Sequence, residues 1–184
     1  MATTALLDVV RAHRAEDAAE EKALARAREL AAEAAPWSRA TPLHFTASAL
    51  VVAPRSGRVL LRWHQRQQQW LQVGGHADPG EELPLDVALR EAAEETGLPD
   101  LAPWPDAALL HLVRVPVAPG RDEPAHEHLD LRFVLATRVP GQVREEHPEA
   151  PLRWLEFAEA RRLTGVANVR ASLDRAERLL GAGG

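Results

Sequence analysis

The residues best suited to chemistry lie in one run, GGHADPGEELPLDVALREAAEETGL, residues 74–98. Glu91, Glu94 and Glu95 stand at i, i+3 and i+4, so on a helix they fan over roughly 100° of one side. Such neighbours repel by a few tenths of a kcal/mol per exposed pair. They also sit toward a helix C-terminus, where the dipole disfavours negative charge. A hard cation reverses that sign, because Mg²⁺, or Mn²⁺ in its place, takes oxygen ligands converging from one face. Upstream, Gly74 and Gly75 allow close backbone approach to a ligand, and a helix mouth supplies free N–H groups. The competing reading is a solvated acidic helix face with a capping glycine.

The element carrying these carboxylates is readily drawn. Pro84 belongs in the first helical turn, where its missing N–H costs nothing, and Gly97 is a natural C-terminal cap. The spacing predicts a helix over Pro84–Thr96, with Leu85, Leu89, Ala92 and Thr96 as its core stripe and the glutamates opposite.

The segment resembles the signature of the Nudix hydrolases: glycine, five residues, Glu, seven residues, Arg-Glu, an apolar residue, any residue, Glu-Glu, any residue, Gly, apolar. Arg90, Glu91, Ala92, Glu94, Glu95, Gly97 and Leu98 match in register. Counting back seven residues from Arg90 selects Glu82 as the first glutamate. That leaves one residue too many after Gly75, placed in the loop HADPGE, where an insertion costs little. On this reading the metal-site spacings are intact, and the aim of His76–Gly80 at substrate is what changes.

The resemblance implies roles. Glu91, Glu94 and Glu95 would be metal ligands, while Glu82 and Arg90 would form an ion pair that locks the loop and orients Glu91. The fold would be α/β (α+β), the Nudix α/β/α sandwich with a mixed sheet. The reaction would be Mg²⁺-dependent hydrolysis of a nucleoside diphosphate linked to another group. Nudix enzymes often draw a further carboxylate from a later loop, which makes Glu146 the candidate in REEHPEAPLRW beside Glu145 and Glu149. The motif covers residues 74–98, and the surrounding strand order fits about residues 43–163 more loosely.

Other residues could serve the same cleft. Alternation in HEHLDLRFVL puts His126, His128, Asp130 and Arg132 on one face of a strand, with Leu129, Leu131 and Phe133 on the other. Three readings stay open for this row: a solvated strand face, a nucleotide cleft with Arg132 on phosphate, or a transition-metal site. Arg58, Arg62 and His64 alternate on an earlier strand with Arg66 beyond, as a phosphate row or as ordinary surface charge. The substrate-facing set is therefore Gly74, Gly75, His76, Arg62, His128, Asp130 and Arg132. Trp63, Trp70, Trp104 and Trp154 read as core aromatics more than as base-stacking platforms.

The remaining elements frame these residues. The chain of 184 residues is long enough for one well-packed domain. Residues 3–35 are free of Gly and Pro and read as helix, broken near His13–Asp17, with Leu6, Val9, Val10, Leu24 and Leu30 as a docking stripe. This gives an N-terminal helical arm over residues 1–40 and a catalytic domain over residues 41–184, with a homodimer through the arm as one use of that stripe. Strands are expected at residues 44–53 and 58–64, in WLQV, and at residues 107–117, 128–139 and 152–157. A helix follows over about Val166–Leu180, and the terminal GAGG reads as a frayed end.

Composition bounds the partners. A net charge of −5 offers no global attraction to nucleic acid, so an anionic substrate would need a bound cation or local arginines. There is no cysteine, hence no thiol nucleophile or zinc–thiolate site. The N-terminal segment reads as neither secretion signal nor membrane anchor, and the cytoplasm is the default location. The expected partner is a small nucleotide-type diphosphate, with neither nucleic acid nor membrane. The alternative to hydrolysis is a non-catalytic Nudix-fold sensor or scaffold, but degenerate modules typically lose carboxylates and this chain keeps three. Isoprenoid diphosphate isomerisation on the same fold would call for an active-site cysteine. The substrate itself is open: relatives acting on dinucleoside polyphosphates often carry a tyrosine after the motif, and this chain has none. ADP-ribose relatives often carry a proline some fifteen residues past it, where Val113 stands and Pro116 is the nearest proline.

Overall fold

The computed structural model describes residues 2–120 and 124–182, with side chains described from residue 5 to residue 181. The expected frayed end at 181–184 lies in part outside the described residues. Two helices, α1 (Ala2–Ala12) and α2 (Ala18–Leu30), precede the sheet. Its strands are β1 (Leu43–Ala53), β2 (Arg58–His64), β3 (Gln69–Leu71), β4 (Val73–Gly75), β5 (Ala102–Pro103), β6 (His111–Val117), β7 (His126–Ala136) and β8 (Leu152–Glu156). Helix α3 (Pro84–Thr96) lies between β4 and β5, and α4 (Phe157–Leu163) and α5 (Ala167–Ala182) follow β8. The short strand β5 and the separate helix α4 are absent from the sequence reading, because a two-residue bridge and a seven-residue helix carry too little periodicity to register.

The sheet is mixed. β1 and β7 pair in parallel at its centre, with Thr46 opposite Asp130 and Ser48 opposite Arg132. All other pairings are antiparallel. Side-chain alternation then separates two cores. Phe45, Ala47, Ala49 and Val51 of β1 pack with Leu129, Leu131 and Phe133 of β7 against α1, α2 and α3. Leu50, Val52 and Val134 face the other way, onto Phe157 and Ala160 of α4 and Val169, Leu173 and Ala176 of α5. The result is the expected α/β/α sandwich.

The N-terminal helices belong to this packing. Leu6, Val10, Leu24 and Leu30 are buried within the single chain, each contributing about 1.5–3 kcal/mol on burial. Helix α2 is also fixed by a buried carboxylate. Glu20 accepts from Leu112 N of β6 at 3.0 Å and from Arg175 of α5 at 2.9 and 2.8 Å, and lies 2.7 Å from His13 Nε2. Burial pushes this carboxyl up, but the His13, Arg175 and backbone hydrogen bonds outweigh it and hold Glu20 well below its ordinary value. Among the described residues, no helix is long and apolar enough to cross a membrane.

Candidate active site

Helix α3 presents its carboxylates to the glycine pair of β4. Val87, Ala88 and Ala92 are buried, which turns Arg90, Glu91, Glu94 and Glu95 outward from the core. The helix ends at Gly97, whose N–H returns to Ala93 O. Gly74 N donates to Glu95 Oε2 at 3.0 Å. The Glu91 carboxylate presses on Gly75 so closely that a Cβ there would lie 2.7 Å from it. Gly74 has φ 142°, and a Cβ on it would come within 2.3 Å of Ser48 Cβ and 2.4 Å of Ser48 Cα, so neither position admits a side chain without rearrangement.

Arg90 is the hub of the loop. Its Nε and Nη2 donate to the two oxygens of Glu81 at 2.9 and 2.8 Å, a bidentate fork. Nη2 also donates to His76 O at 2.8 Å, and Nη1 to Glu91 at 3.0 Å and Glu94 at 3.1 Å. Asp78 N caps Glu81 Oε2 at 2.8 Å, and Glu81 N closes a turn on Asp78 O at 3.0 Å.

This corrects the expected Glu82–Arg90 pair. Glu82 is exposed and makes no ion pair with a described residue; with Ala77–Glu81 it borders a wide cavity against residues 34–40. Five residues separate Gly75 from Glu81, so the first half of the family spacing holds, and eight residues separate the glutamate from Arg90. The extra residue therefore lies after the glutamate, at the Glu82–Leu83 entry to α3, and not in His76–Gly80. The 78–81 turn aims Glu81 at Arg90, whereas helical counting from Arg90 cannot extend beyond Pro84, where the helix starts.

A second arginine joins the carboxylates from β2. Arg62 pairs with Glu95 at 2.9 Å and with Glu146 at 3.2 Å, so Glu146 is brought beside Glu95 from the loop before β8. Burial dominates the titration of the helix carboxylates: it pushes Glu95 up to about 7, against Arg62 and the Gly74 N–H, and it raises Glu91 despite Arg90. The protein's own cations leave Glu91 and Glu95 under-compensated, and carboxylate oxygens are the donors a hard divalent cation takes.

Beside the glycine pair lies a cavity of about 240 Å³, lined among others by Ser48, Gln72, His76, His128, Asp130 and Asn168. The β7 row is no solvated face. Asp130 is buried and accepts from Thr46 at 3.0 Å, Ser48 at 2.9 Å and Arg132 Nε at 2.8 Å. Burial raises the Asp130 carboxyl, yet Arg132 and the two hydroxyls outweigh it and hold it low. The remaining Arg132 donors go to Asn168 and Ser172 of α5 at 3.0–3.1 Å. Arg132 thus ties the sheet to α5 while also lining the cavity.

Sequence reasoning missed the partner row His44, Thr46 and Ser48. Its polar alternation in HFTAS was visible, but only the parallel register sets it against His128, Asp130 and Arg132. Gln72, Asn168 and Ser172 had no sequence signal. Elsewhere, Arg58 pairs with Glu156 and Arg66 donates to Ala118 O, in line with the surface-charge reading of the β2 row, while His64 lines the cavity. Trp70 and Trp104 are half-buried against the α4–α5 core and Trp154 against the other, as expected of core aromatics, while Trp63 stands half-buried edge-on to Trp70.

The geometry agrees with what the chain is similar to. The NUDIX domain model matches residues 42–176, which leaves α1 and α2 outside it. A Lactococcus lactis subsp. cremoris (strain MG1363) protein named "Probable DHNTP pyrophosphohydrolase" is 32% identical over 120 residues, 64% of this chain and 67% of that protein. Two solved structures share the fold. A NUDIX-family hydrolase from Clostridium perfringens has a TM-score of 0.58 at 24% identity, covering 77% of this chain and 98% of that one. The E. coli dihydroneopterin triphosphate pyrophosphohydrolase has 0.56 at 20% identity, covering 73% and 94%. With the glycine, glutamate, arginine and helix carboxylates assembled on this sandwich and the family model spanning most of the sequence, the chain belongs to the Nudix hydrolase family.

Proposed function

We propose that this chain is a Mg²⁺-dependent pyrophosphohydrolase, with Mn²⁺ as an acceptable substitute, acting on a small nucleoside-type substrate that carries a diphosphate. The observation carrying this reading is the convergence of Glu91 and Glu95, both raised by burial, on the glycine pair. Glu91, Glu94 and Glu95 would hold the ion, which when bound supplies charge neutralisation for the phosphates and activation of a water.

The chain's own residues do the rest. Arg90, anchored by Glu81, positions Glu91 and fixes His76 O, so the loop and the helix move as one unit. Glu146, held beside Glu95 by Arg62, is the candidate base: it would take a proton from water as a P–O bond forms to phosphorus and the bridging P–O bond breaks. The cavity of about 240 Å³ is smaller than a typical drug-sized pocket. It suits one heterocycle, with the phosphates lying along Gly74–Gly75 toward α3. The names of the two similar pyrophosphohydrolases support a pterin-type triphosphate as the first substrate to try.

The test is a phosphate- and pyrophosphate-release screen with and without Mg²⁺. It covers dihydroneopterin triphosphate, nucleoside triphosphates, ADP-ribose, dinucleoside polyphosphates, NADH and CoA, with Glu94→Gln and Glu95→Gln as controls. Turnover that needs the metal and falls in both variants is the expected result. Tight binding without turnover would replace hydrolysis with the sensor reading.

A further inference from the structure

Four of the chain's eight histidines meet at one point. His44 is the second residue of β1 and lies directly opposite His128 across the parallel β1–β7 pairing. His126 stands two residues earlier on the same face of β7, and His76 follows the glycine pair. One ring nitrogen from each of His44, His76 and His128 lies within 4.8 Å of the others. His128 Nε2 is 3.2 Å from His76 Nε2 and 3.0 Å from His126 Nε2. We propose that this histidine cluster binds a borderline divalent transition-metal ion of the Zn²⁺ class, at a site separate from the carboxylates of α3.

Proton arithmetic is the first argument. His126 Nδ1 lies 2.9 Å from Pro124 O, and His44 Nδ1 3.1 Å from Thr41 O. A carbonyl can only accept, so each Nδ1 carries its proton and the neutral ring keeps a lone pair on Nε2. The 3.0 Å contact from His126 then needs the proton on His128 Nε2. The 3.2 Å contact from His76 needs that same proton. Both contacts thus compete for one hydrogen on His128, and a cation held by His44, His76 and His128, whose ring nitrogens lie within common reach, would remove that competition.

Geometry is the second argument. Tetrahedral nitrogens about 2.0–2.1 Å from zinc stand about 3.3 Å apart. The His76–His128 separation of 3.2 Å is close to that edge, and His44 completes a group whose nitrogens lie within 4.8 Å of one another. Backbone carbonyls on the outer ring nitrogens of His44 and His126 are the support that metal-ligating histidines normally have. Ligand softness sorts the ions, since imidazole suits Zn²⁺, Ni²⁺ or Cu²⁺ while Mg²⁺ goes to carboxylate oxygen. A bound ion would also hold the motif loop from a second side. The His76 carbonyl is already fixed by Arg90, and the metal would fix its ring, at the wall of the cavity that His76 and His128 line.

The test needs no turnover and so stands or falls apart from the hydrolase reading. Metal-stripped full-length protein is titrated with Zn²⁺ against a chromogenic chelator, and with Co²⁺ for its visible four-coordinate absorption. One equivalent is expected per chain, undisturbed by excess Mg²⁺ and by Glu94→Gln/Glu95→Gln. Affinity should fall by at least about ten-fold in His128→Gln and in His76→Gln. His76 lies half-buried on a loop, so its variant reads the site even if His128→Gln fails to fold. Absence of stoichiometric binding, or binding that follows the glutamate variants and ignores the histidine ones, would overturn the proposal.

Discussion

Glu81 and Glu82 are neighbours of identical chemistry, and the structure gives them opposite importance. In Glu81→Gln, Arg90 loses the charge of its partner and one arm of a fork whose bonds are 2.9 and 2.8 Å. Each charge-assisted hydrogen bond contributes about 1.5–3 kcal/mol. Both side chains are only 22–23% exposed, so screening reduces this without erasing it. Arg90 keeps Glu91, Glu94 and His76 O, which limits the displacement. A loss of about 2 kcal/mol is the reasonable sum, or about thirty-fold in kcat/KM at 1.4 kcal/mol per decade. Glu82→Gln touches no such partner and should stay within about two-fold, as surface changes of ±0.5 kcal/mol do. Steady-state kinetics at fixed Mg²⁺ reads the first effect. Faster hydrogen exchange over residues 76–83 in Glu81→Gln alone reads the same anchor without substrate. If Glu82→Gln loses as much activity as Glu81→Gln, the assignment of the arginine's partner is wrong.

Glu20→Gln leaves the buried Arg175 with only its longer contacts to Glu16 and Asp17, at 3.5 and 3.6 Å, and should destabilise the fold by up to about 3–5 kcal/mol, seen as a lower urea midpoint. Wild type should also lose stability in acid. The folded Glu20 titrates below its ordinary 4.5, so its contribution is present above that pH and disappears as pH falls below it. Urea midpoints from pH 7 to pH 3 should therefore fall more steeply for wild type than for Glu20→Gln. Gly74→Ala and Gly75→Ala should separate folding from chemistry. The first drives a methyl into Ser48 at a positive φ and should lower the thermal midpoint by several degrees. The second displaces only the Glu91 carboxylate, so it should lower kcat at least about ten-fold with the thermal midpoint nearly unchanged.

The sequence alone determined α3 and its acidic face, because proline entry, glycine exit and a 3.6-residue period are local physics. The same holds for the long strands and the break between α1 and α2. It did not determine which of two adjacent glutamates meets Arg90. Spacing counts residues, whereas the 78–81 turn decides where a side chain points. Nor did it show that the β7 row is buried. Alternation says which residues share a face, but only the parallel pairing with β1 and the cover of α5 decide what that face meets. Arg132 and Asp130 bond each other, Ser48, Thr46 and Ser172 because those partners, 40 to 84 residues away along the chain, arrive in the same buried layer. The four-histidine cluster has the same origin: four side chains from β1, β7 and the motif loop, invisible as a group until the sheet forms. Local order is written in neighbouring residues, and the sharing of buried polar partners is set by long-range register, which no single stretch of sequence contains.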